Sequence, residues 1–193
     1  MASGEGELTM PERGKNHLYY KQLFDTLQIL PGKEAQVIAE VARIKKNTDL
    51  YLEAQAHTGK PWYFFALTHE MECDGRRDRQ IFNGQRWDKV TTIVPKGFGP
   101  WPSWGASAAD AIKVKRLEHV DMSTVPALLA ELERWNGGGY MRRMKHSPYL
   151  WAGSNHGKDS GYYTSDGKYD PLAQSKQIGA AVLLWWMKKG DGK

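Results

Sequence analysis

The segment "HEMEC", residues 69–73, gathers His69, Glu70, Glu72 and Cys73, the only cysteine of the chain. Three kinds of chemistry are open to such a group. A carboxyl that keeps its proton near neutral pH is a general acid. A histidine and a glutamate three positions apart on one helix face are half of a metal site. A thiolate held at low pKa is a nucleophile. The metal reading lacks its other half, because His17, His57, His119, His146 and His156 are scattered without paired ligand spacing, and no metal is expected. Cys73 reads as a small packed hydrophobe, and a lone cysteine excludes an internal disulfide, in keeping with a reducing cytosol. The acid is the reading that survives.

What must position that acid is the stretch before it, "PWYFFALT". Trp62, Tyr63, Phe64 and Phe65 predict a short, largely buried helix. Pro61 suits its first turn, and Asp74-Gly75 ends it, with Gly75 free to take a left-handed cap. Glu70 and Glu72 then stand at the C-terminal end, roughly 200° apart around the axis, so they cannot work as a pair. Glu72 shares a side with Phe65, Thr68 and His69, and Glu70 with Tyr63, Ala66 and Leu67. Both sides are apolar, and periodicity leaves the choice open. On either side, the partial negative charge of the helix end and apolar surroundings favour the protonated acid.

The 193 residues show no repeat, low-complexity tract or Pro/Ser linker, and read as one domain over 15–193 behind a flexible N-terminus, 1–14. Hydrophobic spacing predicts helices over 15–30, 34–56, 61–73 and 107–117, and another in "STVPALLAELERWNGGG". The last, about 173–188, is apolar nearly all round and must be central. "RQIFNGQRW" places Asn83-Gly84 between two short apolar-bearing runs, a two-residue hairpin signal. The expected fold class is α+β, predominantly α-helical, with one small hairpin.

Several classes of function recede. "MASGEGELTMPERGKNH" has no apolar core and is not a signal peptide, and the longest apolar run, "IGAAVLLWWM", is too short to span a bilayer, so no membrane insertion is expected. The net charge of +5 suits an anionic partner; nucleic acid, an anionic membrane surface and bacterial cell wall share that sign. No Gly-rich phosphate loop is present, and "RRMKH" at 142–146 lacks interleaved aromatics, so it reads as a solvated charge run and no nucleic-acid partner is expected. A long polar loop over 147–171 is more telling. It carries Tyr149, Trp151, Asn155, His156, Tyr162, Tyr163, Asp166, Lys168, Tyr169 and Asp170. Flat rings that stack and short side chains that meet hydroxyls and amides suit a carbohydrate.

At these residues the chain resembles a family of lysozyme-like peptidoglycan hydrolases, the N-acetylmuramidases of bacteriophages and bacteria. "KPWYFFALTHEMECD" is similar to the family's "vPWxxxAxxHxREss", and "FNG" to its "HNG" turn. "TTIVPKGFGPWPSWGASAADAI" is similar to its threonine-strand-proline segment with a following Trp and "SAxDAL" helix. "LERWNGGGY" resembles "LExyNGxGY", and "SPYLWAGSNHGKDSGYYTSDGKYDP" resembles "SPYLWsxTNxYxxGkYxxDGkyd". The matches keep their order from about Tyr51 to Gly179, roughly two thirds of the chain. Three departures stand out: Met71 replaces the arginine before the family's acid, Cys73 the small residue after it, and Phe82 its hairpin histidine.

The resemblance implies a lysozyme-like superfamily fold with the hairpin beside a catalytic cleft. It implies cleavage of the β-1,4 bond between N-acetylmuramic acid and N-acetylglucosamine, with Glu72 protonating the glycosidic oxygen and no cofactor. For the second catalytic group, Thr91 and Thr92 on the strand after the hairpin could position a water, Asp88 and Asp166 are carboxylate alternatives, and Asp74 lies too near Glu72 in sequence. Tyr140, Tyr149, Trp151, Asn155, Tyr163 and Asp166 are the candidates for the substrate cleft. The expected context is that of a monomeric single-domain phage endolysin. It accumulates in the host cytoplasm, needs a membrane lesion such as a holin makes, and acts on glycan strands of the wall. A lytic transglycosylase on the same bond, a chitinase-like enzyme, a non-catalytic wall-binding virion protein and, remotely, a basic nucleic-acid binder are the alternatives.

Overall fold

The computed structural model describes residues 17–137, 139–165 and 167–190. Among these residues the fold is predominantly helical, with a small antiparallel sheet. The helices are α1 (His17–Asp25), α2 (Glu34–Lys46), α3 (Thr48–Thr58), α4 (Trp62–Cys73), α5 (Trp104–Val114), α6 (Val125–Trp135), α7 (Pro148–Trp151) and α8 (Ala180–Gly190). Strands β1 (Tyr162–Ser165) and β2 (Lys168–Asp170) pair with Tyr163 opposite Tyr169.

Helix α4 exists because it is buried. Trp, Tyr and Phe are mediocre helix formers, yet Phe64, Phe65, Ala66 and Leu67 are wholly inaccessible. A fully buried Phe or Leu contributes about 1.5–3 kcal/mol, more than enough to override propensity. Four helices, α2, α3, α6 and α8, pack around α4. Helix α8, apolar up to Met187 and with Ala180 to Leu184 fully buried, lies centrally against α2, α4 and α7. Helices α3 and α5 pack together on one flank, and α1 against α6 on another. Ser103 and Thr124 cap α5 and α6, their hydroxyls accepting from the amides of Ala106 and Ala127.

Five expectations need correcting. The segment 34–56 is two helices, not one. The chain breaks at Asn47, which is buried and spends its side chain on the carbonyl of Gly75 at 2.6 Å. Helix α1 ends at Asp25, because residues 26–29 are used to anchor the segment around Ser154, including a bridge from Ile29. Helix α5 starts at Trp104 and α8 only at Ala180.

The fifth correction concerns the hairpin. Around Asn83-Gly84 only Arg79 and Arg86 pair, as an isolated bridge. Gly84 does take the positive φ that the dipeptide signals. The Gln80 side chain accepts from the amides of Phe82 and Asn83, however, and Phe82 packs edge-on to Phe98 and Trp101. Side-chain amides and an aromatic cluster satisfy this segment, so no ladder is needed. The two-stranded hairpin forms instead inside the 147–171 segment, where Tyr162-Tyr163-Thr164 and Lys168-Tyr169 flank Asp166-Gly167, itself a turn dipeptide.

Candidate active site

Both glutamates of α4 sit where the helix ends. Asp74 and Gly75 each adopt left-handed backbone, and their amides return to the carbonyls of Glu70 and His69. Pro61, expected in the first turn, is the residue just before it, extended at φ −63° and ψ 137°. His69 is wholly buried and serves the frame. Its Nε2 donates to the carbonyl of Arg76 at 2.9 Å, which leaves Nδ1 to accept from the Tyr51 hydroxyl at 3.1 Å. Burial pushes its pKa down to about 4, so it stays neutral. Cys73 is packed as expected, its thiol donating to the carbonyl of Gln80 and pushed up to about 12, chiefly by burial.

The two carboxylates have opposite surroundings. Glu70 turns inward, 3% exposed, and accepts a forked hydrogen bond from Nε and Nη2 of Arg43. Burial pushes its pKa up, and the guanidinium pulls it back into an ion pair. Glu72 turns to the other side, into an open cleft of about 630 Å³. Its Oε1 accepts from Trp135 Nε1 at 3.2 Å and from the Tyr149 hydroxyl at 3.1 Å. Among the described residues nothing donates to Oε2. The choice that periodicity left open is therefore decided by geometry: Glu70 is held by Arg43, and Glu72 faces the cleft.

Burial against protein raises the Glu72 pKa above the ordinary glutamate range. The donors Tyr149 and Trp135 oppose that rise, and the Lys115 charge opposes it further. The side chain remains solvent-accessible from the cleft, which moderates the shift: one flank is walled by Tyr149 and Trp135, the other is wet. Trp135 ends α6 and is itself fixed edge-on against Phe64 at 5.5 Å, with Lys115 Nζ 4.9 Å above its ring. Two donors bound to one carboxyl oxygen hold the group in place and leave Oε2 to carry and deliver a proton.

The opposite wall is built of tyrosines and arginines. Tyr140, Tyr162 and Tyr163 line the cleft. Tyr140 is edge-on to Tyr163 at 5.1 Å, and its hydroxyl accepts from the Tyr163 amide. Gly139 allows this packing, because a Cβ there would stand 3.1 Å from the Tyr163 ring. Arg143 lies 4.2 Å above the Tyr169 ring and donates to the Tyr163 hydroxyl at 3.0 Å. The segment "RRMKH" is thus not merely a solvated charge run: Arg142 and Arg143 both line the cleft.

Of the expected site residues, the fold brings Glu72, Tyr140, Tyr149 and Tyr163 to one cleft. It does not bring Trp151, which is completely buried in the core. It does not bring Asn155, whose side chain ties the Gln28 amide and Thr26 carbonyl and borders a separate hollow of about 320 Å³. Thr91 and Thr92 also stand apart from the lining. The Thr91 hydroxyl donates to the Pro95 carbonyl and accepts from the Phe98 amide, and that of Thr92 accepts from Gln85, so both hold the 91–98 loop. Asp88 is on the surface beside Arg86, and Asp74 is the exposed helix cap. Asp166 lies outside the described residues. Sequence reasoning missed Trp135, Arg142, Arg143 and Gln177, whose amide donates to the Met71 carbonyl on the cleft lining. Only the position of Trp135, directly before "NGGGY", hinted at its place in the cleft. The chain matches no family model, no curated protein and no solved structure.

Proposed function

We propose that the protein is a peptidoglycan-cleaving glycosidase of the muramidase type, with Glu72 as the general acid at the β-1,4 bond between N-acetylmuramic acid and N-acetylglucosamine. The observation that carries the reading is the single glutamate anchored through one oxygen by Trp135 and Tyr149, with its pKa raised, in a tyrosine-walled cleft. Glu72 gives its proton to the glycosidic oxygen from Oε2 as the C1–O bond breaks and positive charge spreads over the ring. The tyrosine faces supply stacking surface for sugar rings. A lysozyme-like superfamily fold, monomeric action on glycan strands and a role in host lysis from the cytoplasm belong to the same proposal.

One observation favours a second reading, the lytic transglycosylase. Among the described residues lining the cleft, Glu72 is the only carboxylate, and neither Thr91 nor Thr92 is there to hold a water. An inverting hydrolase needs a second carboxylate about 6.5–9.5 Å from the first. A transglycosylase needs none: the ionised Glu72 takes the proton of the sugar's own 6-hydroxyl as that oxygen attacks C1, closing an anhydro ring.

Purified peptidoglycan is digested with wild type and Glu72→Gln, and the products are read by mass spectrometry. Reducing muramic-acid ends made only by wild type establish the hydrolase, and anhydro ends made only by wild type establish the transglycosylase. Equal cleavage by both proteins removes Glu72 from the chemistry, and no cleavage by either returns the cleft to a wall-binding role.

A further inference from the structure

The cleft holds two cations that the chemistry at Glu72 does not use. Arg142 and Arg143 form the short 3-10 turn Met141–Arg143 directly after Tyr140, and both border the same cavity as Glu72. The turn is fixed at its base by the amides of Arg143 and Lys145, which both donate to the Tyr140 carbonyl. Arg143 is pre-set by its stack on Tyr169 and by Nε on the Tyr163 hydroxyl. Among the described residues, its Nη1 and Nη2 meet no acceptor and Arg142 meets none at all. The only carboxylate on the described lining is Glu72, whose pKa is raised. Within the described lining, two guanidinium groups stand against one carboxylate, and an arginine fork fits a carboxylate with two parallel hydrogen bonds.

The geometry points to a second subsite in the cleft, formed by Arg142 and Arg143, that binds a carboxylate carried by the glycan. The inference rests on the reading of the cleft as a glycan site and adds what the glycan must bear. Neutral amino-sugar polymers satisfy the tyrosine wall but leave both guanidinium groups unanswered. Two sources offer the required group: the lactyl ether of a muramic sugar without its peptide, and the peptide stem of an intact one, whose lactyl carboxyl is tied up as an amide.

Binding separates this inference from catalysis. Full-length Glu72→Gln and the double variant Glu72→Gln/Arg142→Gln are titrated calorimetrically with three soluble oligomers of equal length. One carries peptide stems, one is stem-free with lactyl carboxylates, and one is a neutral N-acetylglucosamine oligomer. Arg142 is exposed, so its replacement leaves the core intact. The expected result is tighter binding of a carboxylate-bearing oligomer than of the neutral one, with that preference reduced about tenfold by Arg142→Gln, as befits one charge-assisted contact. The preference also shrinks between about 0.05 and about 0.5 M salt, because the contact is exposed. Whichever acidic oligomer carries the preference identifies the source. Equal binding of all three oligomers, or an equal loss on all three in the double variant, overturns the subsite. A preserved, Arg142-dependent preference in a protein that cleaves no peptidoglycan would refute the glycosidase and keep the subsite.

Discussion

At the scale of the residue, the protein turns on the asymmetry around one carboxyl group. Tyr149 and Trp135 both donate to Oε1 of Glu72, and each such bond favours the ionised form, while burial favours the neutral form. Tyr149→Phe removes one donor and keeps the ring. The Glu72 pKa then rises further, and on the proposed glycosidase reading the alkaline limb of kcat/KM, where the acid would be lost, moves to higher pH. A limb that moves down, or stays, would show that Glu72 is not the group titrating. Stability carries the same signature with its own sign. Because the folded pKa of Glu72 lies above its unfolded value, the folded state holds its proton to higher pH, and stability falls as pH rises from the unfolded value through the folded one. Glu72→Gln lifts that penalty and keeps an oxygen for Tyr149 and Trp135. It melts at a higher temperature than wild type at pH 7, and the gap closes below about pH 4.3, where both states of the wild type are protonated. Equal melting temperatures across that range would mean that Glu72 is no more burdened than a surface glutamate.

At the scale of the element, the junction after α4 packs directly against the Glu70–Arg43 pair. Gly75 has φ +63°, its carbonyl takes the Asn47 amide, and a Cβ there would stand 2.9 Å from Glu70 Oε2. Gly75→Ala meets left-handed strain of about 1–2 kcal/mol and pushes on a carboxylate already held by Arg43. We expect a loss of about 2–3 kcal/mol in denaturant unfolding. Gly84 is the control. It also has a positive φ, +69°, but its nearest neighbour, the Glu72 carbonyl oxygen, would be 3.7 Å away. Gly84→Ala should therefore cost only the backbone part, about 1–2 kcal/mol. If the two substitutions cost the same, the Glu70–Arg43 pair gives way freely and does not brace the end of α4.

At the scale of the whole molecule, the core is a single cluster that runs from Tyr20 to Met187, with α4 at its centre. Cys73 is its chemical reporter. It is buried at the end of α4, pushed up to about 12, and hydrogen-bonded to Gln80. A thiol reagent at neutral pH should leave it unmodified in the native protein and label it along the same denaturant curve as global unfolding. Labelling well before the unfolding transition would reveal that the 73–80 segment opens on its own.

What the sequence determined by itself was local. The apolar run of α4, its Asp74-Gly75 stop, the largely apolar α8 and the packed state of Cys73 follow from residue types within a few positions of one another, because burial and caps act over a single turn. The tertiary structure decided everything that needed a partner from elsewhere in the chain. Glu70 and Glu72 were equivalent by periodicity until Arg43 claimed one and Trp135 and Tyr149 the other, at separations of 27, 63 and 77 residues. Trp151 and Tyr149 stand two positions apart on a single short helical turn, so one must face the core when the other faces the cleft. Asn83-Gly84 and Asp166-Gly167 carry the same kind of turn signal, yet only the second has flanking residues free to pair, since the first are taken by Gln80, Phe98 and Trp101. Partner choice of this kind is a property of distance in space, which spacing along the chain does not encode.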